Sequence, residues 1–353
     1  MRTLILFLSY LLIPVFCSAD WMLDQIQEDL KPFKKNGVNG SHLKQFVQQA
    51  SSHNLLVHIK IRKGKVFSYS PAAVIHTEIE SRLNIVHQFF KALAKDYKIP
   101  NIDFVVTLHD GVSFNGEDFN ADLPLFSFAK NKQCPSILMP DFEALSECNE
   151  NLKICEEASK AYPWKTKKEV IFWRGATTGG LFEIGNYLQF PRSKLVLLSR
   201  QNPQWLDAAF TALVQSTPDV YNLLLAQTRP LAEHTPIKNH FAYKYLMDVD
   251  GNSCTYSRCR WILLSNSVLI KPDSKNIQWY YKALKPWVHY VPVQSDFKDL
   301  EGKFKWLILH DAIAFKIANQ GQILGKLIFS KREIDRYMVT LLNEYSNILL
   351  NHP

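Results

Sequence analysis

Four places in the sequence put charged or titratable side chains where the chain changes direction. The first is Val170–Gly180, VIFWRGATTGG, where an apolar run ends in Arg174 and small residues follow: Gly175, Ala176, Thr177, Thr178, Gly179 and Gly180. A glycine-rich loop between a strand and a helix offers backbone N–H groups to phosphate oxygens, and a helix N-terminus adds a positive dipole. Arg174 would add a permanently charged, forked donor. No Gly-Lys-Ser/Thr follows, so this is not a Walker loop, and it is not Gly-x-Gly-x-x-Gly either. A solvated arginine before a flexible turn fits the spacing equally well.

The second place is Asp250-Gly251-Asn252-Ser253, leading into Tyr256-Ser257-Arg258-Cys259-Arg260. Basic residues in a first helical turn oppose the helix dipole, and a bound anion would relieve the conflict. Arg258 and Arg260 lie two apart, so they do not share a helix face. An interdomain salt bridge from one of them is the plainer reading. The third is His109-Asp110-Gly111, at the end of an apolar strand. Asp110 there suits a general base, or an Asp-Gly turn bonded to its own backbone. The fourth, Leu284–Val293 (LKPWVHYVPV), carries His289 and Tyr290 among aromatics and cations. Such residues suit stacking against a sugar or base, or a packed strand.

These positions need elements to hold them. Asp20 to about Ala50 reads as helical. Leu55–Val66 alternates around Lys63-Gly64-Lys65 and predicts a hairpin. Ile75–Tyr97 has apolar residues at helical period, and Ile102–Leu108 reads as a buried strand. Ser136–Pro140, Val170–Trp173, Lys194–Leu198, Met247–Gly251, Ser267–Ile270 and part of Leu284–Val293 read as strands. Lys238–Tyr245 reads as a helix start, Tyr256–Leu264 as a helix. From Asp296 onward the chain is helical, with Asp296 and Asp299 as caps. Strands alternating with helices imply parallel βαβ units, in two α/β domains meeting near Pro163, with the default site in the crevice between them.

The 353 residues suit two domains. At 47% apolar and 21% charged, the chain has an ordinary globular composition. A net charge of +8 suits anionic ligands or an anionic membrane surface. No run of five or six like charges points to nucleic acid. Arg2, the apolar stretch Leu4–Phe16 and Cys17-Ser18-Ala19 read as a secretory signal over residues 1–19, with an uncleaved anchor as the alternative. Six cysteines, without zinc spacing, leave disulfides and free thiols both open; Cys148 with Cys155 would close a short loop.

The ordered set FWRGATTGG (Phe172–Gly180), KYLMDVDGNSCTYSRCRWILLSNSVLIK (Lys244–Lys271), LKPWVHYVPVQSDFKDL (Leu284–Leu300) and AFKIANQGQ (Ala314–Gln322) resembles the glycosyltransferase family 90 enzymes. That group holds the Rumi-like protein O-glucosyltransferases, the KDEL-motif proteins and fungal capsule-associated xylosyltransferases. The resemblance covers roughly Ile102 to the C-terminus. It implies a GT-B fold, with two Rossmann-like domains facing a cleft and a C-terminal helix packing back on the first. Residues 20–163 would form the acceptor-side domain and 164–353 the nucleotide-sugar domain. It also implies an inverting, metal-independent transfer of glucose or xylose from a UDP-sugar, with no cofactor. Arg174 matches the arginine of the family's F-R-G motif and Arg258 that of its S-x-R-F motif, both on the donor diphosphate. Gly175, Thr177, Asn252 and Ser257 would complete the donor site. Asp110 falls at the family's catalytic aspartate, and His109, His289 and Tyr290 would line the substrate cleft.

The chain departs from that pattern. Cys259 replaces the usual Phe, Tyr256 stands two before Arg258 where Ser is usual, Ala176-Thr177 alter the loop after Gly175, and Asp110 lacks the common Asp-x-Pro form. The expected acceptor is a protein or surface glycan hydroxyl. The protein is expected to be monomeric, with peripheral membrane association open, in the ER lumen or a bacterial envelope. A binding protein of the same fold without turnover, and a phosphate-ester hydrolase, are the alternatives.

Overall fold

The hairpin predicted at Lys63-Gly64 forms with both residues at positive φ, +46° and +75°, the geometry of a tight two-residue turn. It joins β2 (Leu56–Arg62) to β3 (Lys65–Tyr69); a short β1 (Val38–Asn39) precedes them. The computed structural model describes residues 20–39, 43, 55–70, 77–111, 124–146, 148–228 and 230–350. The signal expected in residues 1–19 lies outside the described residues.

The first half continues with β4 (Ile102–Thr107), β5 (Leu125–Ser127), β6 (Lys130–Asn131) and β7 (Ile137–Leu138). Its sheet runs β3-β2-β4-β5-β7, antiparallel at β2 and parallel from β4 onward. All six residues of β4 are buried, which explains its unbroken apolar run. Helices α1 (Asp20–Leu30), α2 (Thr77–Asp96), α3 (Phe142–Ser146) and α4 (Cys148–Ala161) accompany this sheet.

The second half holds β8 (Lys168–Ala176), α5 (Pro191–Gln201), β9 (Leu206–Ala212), α6 (Pro218–Gln227), α7 (Ile237–His240), β10 (Tyr243–Met247), α8 (Tyr256–Leu264) and β11 (Val268–Pro272). Then come β12 (Asn276–Ile277), β13 (Val291–Val293), α9 (Leu300–Leu309), α10 (Asp311–Ile328), α11 (Lys331–Ser346) and β14 (Leu349–Leu350). Its sheet runs β13-β11-β10-β8-β9, and every neighbouring pair is parallel. The chain order reverses between β8 and β10. In an open parallel sheet, ligands bind beyond the carboxyl ends of the strands at such a reversal. This is the two-domain α/β architecture expected of the fold class.

Several expectations need correcting. Lys194–Leu198 is not a strand: it lies in α5, whose Pro191 start and buried Leu195, Val196 and Ser199 follow helical spacing. A short apolar run does not distinguish the two by itself. Arg174, Gly175 and Ala176 lie inside β8, and the next helix begins only at Pro191, so the glycine loop does not open a helix. After α7, Tyr243–Met247 is strand rather than helix, and only Val291–Val293 of the aromatic stretch is strand. Of the alternatives left open for the cysteines, Cys155 takes the free, buried thiol, which burial pushes up to about 12.

The boundary at Pro163 separates the strands of the two sheets, but the packing crosses it. Alternation along β8 sends Ile171 and Trp173 into the second core and Phe172 into the first. The first core continues through Trp261–Leu264 of α8 into α11. The C-terminal helix does pack back on the first domain: Tyr345 meets Phe126 edge-on at 5.1 Å, and Tyr337 Oη donates to the Leu138 carbonyl at 3.0 Å. β14 then pairs with β1. Residues 331–350 thus pack on the first domain although they follow the second in sequence. The β1–β14 pairing is parallel; β6 and β12, paired antiparallel, form a second link between the halves.

Just before β8, the Lys167 ammonium is buried, donating to the Phe241 carbonyl and, at 2.9 Å, to Ser267 Oγ. Burial lowers it to about 7, against about 10.4 for an unfolded lysine. Between those values the unfolded chain holds a proton the folded protein has lost, so stability should rise with pH from about 7 to about 10. Urea unfolding across that range should show the rise in the wild type, a flatter profile in Lys167→Met, and a more stable variant at pH 7.

Candidate active site

Strand β4 carries the chain to Asp110, which α2 meets from one side. Arg82 of α2 pairs its Nη2 with Asp110 Oδ1 at 2.9 Å and donates Nη1 to the Leu108 carbonyl at 2.8 Å. Its guanidinium lies 4.3 Å from the Phe142 ring centroid. From the other half of the chain, Tyr256 Oη donates to the Asp110 carbonyl, and Asn252 Nδ2 donates to Asp110 Oδ2 at 3.3 Å. Tyr256, which stands where the family has serine, thus ties α8 to the strand end bearing Asp110. A Cβ on Gly111 would collide with the Ser253 hydroxyl, so glycine permits this close approach. Asp110, His109, Gly111, Arg82, Leu55, Ile79 and Asn252 line a cavity of about 360 Å³.

Arg174 takes a direction that spacing does not reveal. Its side chain folds back over Phe172, 4.2 Å from the ring centroid, and Phe172 stacks on Tyr243 at 3.9 Å. Nη2 reaches both Asp207 carboxylate oxygens at 3.0 Å, and Nη1 donates to the Trp173 and Asp207 carbonyls. Asp207 is the register partner of Phe172. The guanidinium therefore lies back along the sheet, paired, rather than beyond the strand end. Gly175 makes room for the Trp173 indole, which an added Cβ would approach to 2.6 Å. Thr177 is fully buried and its Oγ1 accepts from Val214 N at 2.9 Å. Its hydroxyl braces the loop. Gly179 N donates to Asn252 Oδ1 and to Gln215 Oε1, both at 3.1 Å. Its φ of +118° favours glycine.

Two other arginines stand at the reversal of strand order. Arg258, in the first turn of α8, donates Nη2 to the Arg174 carbonyl at 2.6 Å. It lies 5.8 Å from the Trp173 ring centroid and 5.7 Å from that of Trp261. Arg192, in the first turn of α5, lies 5.6 Å from the same Trp173 ring. Its Nε donates to the Asp250 carbonyl at 2.9 Å, Nη1 to Ala176 at 2.8 Å and Nη2 to Val249 at 3.2 Å. Among the described residues, no carboxylate lies within ion-pair distance of either. Burial, then Arg258, lowers Arg192 to about 10, with Asp250 and Asp248 opposing; burial lowers Arg258, with Asp248 opposing. Burying cations without a direct ion pair is costly, and a bound anion would relieve the cost. Arg192 escaped the sequence reading although it carries the signal that marked Arg258, a cation in a first helical turn.

The nearby acidic residues, Asp248 and Asp250, make their direct ion pairs with Lys271 and act on the two arginines only at longer range. Lys271 Nζ reaches Asp248 Oδ2 at 2.7 Å and Asp250 Oδ1 at 3.9 Å. Burial would lower the Lys271 ammonium, but those carboxylates raise it well above its ordinary value. Arg260 takes the interdomain role, buried 4.0 Å from Glu143. Cys259 is buried beside it, filling core where the family has phenylalanine. Ser257 is half-buried next to Arg258.

His289 and Tyr290 do not join this group. His289 Nδ1 accepts from Lys285 N at 3.0 Å, and burial, with Lys285, lowers its ring to about 4. Tyr290 lines a separate cavity of about 320 Å³ with Lys271, Ser274, Lys282 and Gln25.

If the Arg258 charge is kept for a ligand rather than for the fold, removing it should stabilise the ligand-free protein. Arg258→Met should raise unfolding stability by about 0.5–2 kcal/mol, the usual range for a single stabilising substitution. Thermal unfolding without ligand checks this; a loss of stability would make Arg258 structural.

The family model described as Glycosyl transferase family 90 matches residues 16–353. Protein O-glucosyltransferase 2 of Danio rerio is 27% identical over 96% of this chain and 64% of that protein. Protein O-glucosyltransferase 1 of Homo sapiens is 24% identical over 92% of this chain and 79% of that protein. The chain thus spans somewhat under two thirds of the zebrafish relative's length, and half that of the mouse Protein O-glucosyltransferase 3. Among solved structures, Anabaena HepE overlaps at a TM-score of 0.37 with 12% identity, covering 74% of this chain and 76% of that one, too loosely to weigh further. With a family model matched over nearly the whole chain, on the residues that build this cleft, the protein belongs to glycosyl transferase family 90.

Proposed function

We propose that this protein transfers glucose or xylose from a UDP-sugar to a hydroxyl, with inversion at the anomeric carbon. The observation that carries the reading is the cleft's division of charge. A carboxylate, Asp110, faces a cavity from the first domain, while Arg192 and Arg258 lie at the strand ends of the second with no direct carboxylate ion pair among the described residues. Asp110 would take the acceptor proton as the hydroxyl attacks the sugar C1. Negative charge then grows on the departing diphosphate, where preorganised cations stabilise it. Guanidinium groups would supply that charge without a metal, and no cofactor takes part.

The names of the relatives favour glucose as the sugar and a protein hydroxyl as the acceptor. The apolar stretch Leu4–Phe16 supports a place in the secretory pathway. Among the described residues, no helix is long and apolar enough to cross a membrane.

Purified protein should release UDP from UDP-glucose or UDP-xylose. Asp110→Asn should lower that turnover at least about a hundredfold, the usual contribution of a general base, while UDP still shifts the melting temperature. Turnover that survives Asp110→Asn would remove Asp110 from the chemistry. UDP binding with no UDP release from either sugar would make the protein a nucleotide-sugar binder instead.

A further inference from the structure

Asn252 touches both halves of the cleft. Its Oδ1 accepts from Gly179 N in the glycine loop at 3.1 Å, and its Nδ2 donates to Asp110 Oδ2 at 3.3 Å. The amide therefore spans from the donor side of the second domain to the proposed base of the first. Its neighbours fix its place. Gly251, just before it, has no room for a Cβ, which would collide with Thr178 Oγ1 and approach Arg192 Nη2 to 2.8 Å. Gly179 packs against the Gly251 carbonyl in turn. The two loops are thus pressed together, and Asn252 extends from their contact into the cavity beside Asp110.

Asp110 is gripped at both oxygens. Arg82 holds Oδ1 at 2.9 Å and Asn252 reaches Oδ2. The Asn252 bond is longer than an ordinary N–H···O bond, so an acceptor hydroxyl can exchange with it readily. An asparagine suits both ends: its oxygen takes the loop N–H while its nitrogen gives to the carboxylate. Aspartate at this position would repel Asp110, and a hydroxyl would not span the gap.

We propose that Asn252 is a positioning residue, a strut that sets the orientation of the Asp110 carboxylate from the position of the donor loop, rather than a contact to the donor itself. The proposal rests on the reading of Asp110 as the base. It follows that loss of the amide should affect the rate more than the affinity for nucleotide.

The test uses the full chain with UDP-glucose and UDP-xylose as donors, water as acceptor, and UDP as the binding probe. Asn252→Ala should lower kcat for UDP release about tenfold with the UDP Kd within about twofold, the signature of an interaction needed in the transition state. Asn252→Ser, a second small substitution at this exposed position, should do the same, and circular dichroism should show both folded. A UDP Kd weakened tenfold or more would make Asn252 a donor contact, and an unchanged kcat would make it a bystander; either result overturns the proposal. Failure of the wild type to bind UDP or turn over either sugar would instead sink the reading of the site, before Asn252 is at issue.

Discussion

Two guanidinium groups, Arg192 buried and Arg258 half-buried, stand where the strand order reverses with no direct carboxylate ion pair among the described residues, and the cleft's capacity to hold an anion depends on them. Arg192 and Arg258 approach one indole ring, Trp173, and donate to carbonyl oxygens at the ends of β8 and just beyond β10. A fold under no other demand would pair or replace such charges. The surrounding ion pairs show that pairing was within reach: Lys271 is matched with Asp248, and Arg174 with Asp207.

The rest of the architecture holds this cationic end opposite Asp110. Tyr256, Ser253 and Asn252 all come from the segment after β10, and each meets the His109–Gly111 turn of the other domain. A shared core runs from the first sheet through α8, and α11 returns to close over the first domain. The α8 helix does two things at once. Its first turn presents Arg258, while Trp261, Ile262, Leu263 and Leu264 are buried in the shared core. The position of the donor-side charge relative to Asp110 therefore depends on hydrophobic packing more than on the polar contacts across the cleft.

Much of this was legible in the sequence, for local reasons. The Lys63-Gly64 turn, the buried β4 and the α8 helix follow from turn chemistry and apolar period, signals that need no distant partner. The resemblance placed Asp110 and Arg258 on opposite sides of one cleft. What was not legible depends on tertiary contact. Lys194–Leu198 looks like a strand until Pro191 and the packing of Leu195 and Val196 set it as a helix. Strand β9, with Asp207, reads as an alanine-rich stretch of no clear period. Without Asp207, nothing shows that Arg174 turns away from the strand end. Arg192 sits in the first turn of α5, so the strand-like run hides its first-turn signal, and its three acceptors come from two other segments of the chain.

The most direct test of the central claim compares UDP with uridine by titration calorimetry at low and high salt. If the arginine pair holds the diphosphate, UDP binds saturably, loses affinity as salt rises, and exceeds uridine by at least about tenfold, the scale of one charge-assisted contact. Uridine binding as tightly as UDP, with no dependence on salt, would contradict the account.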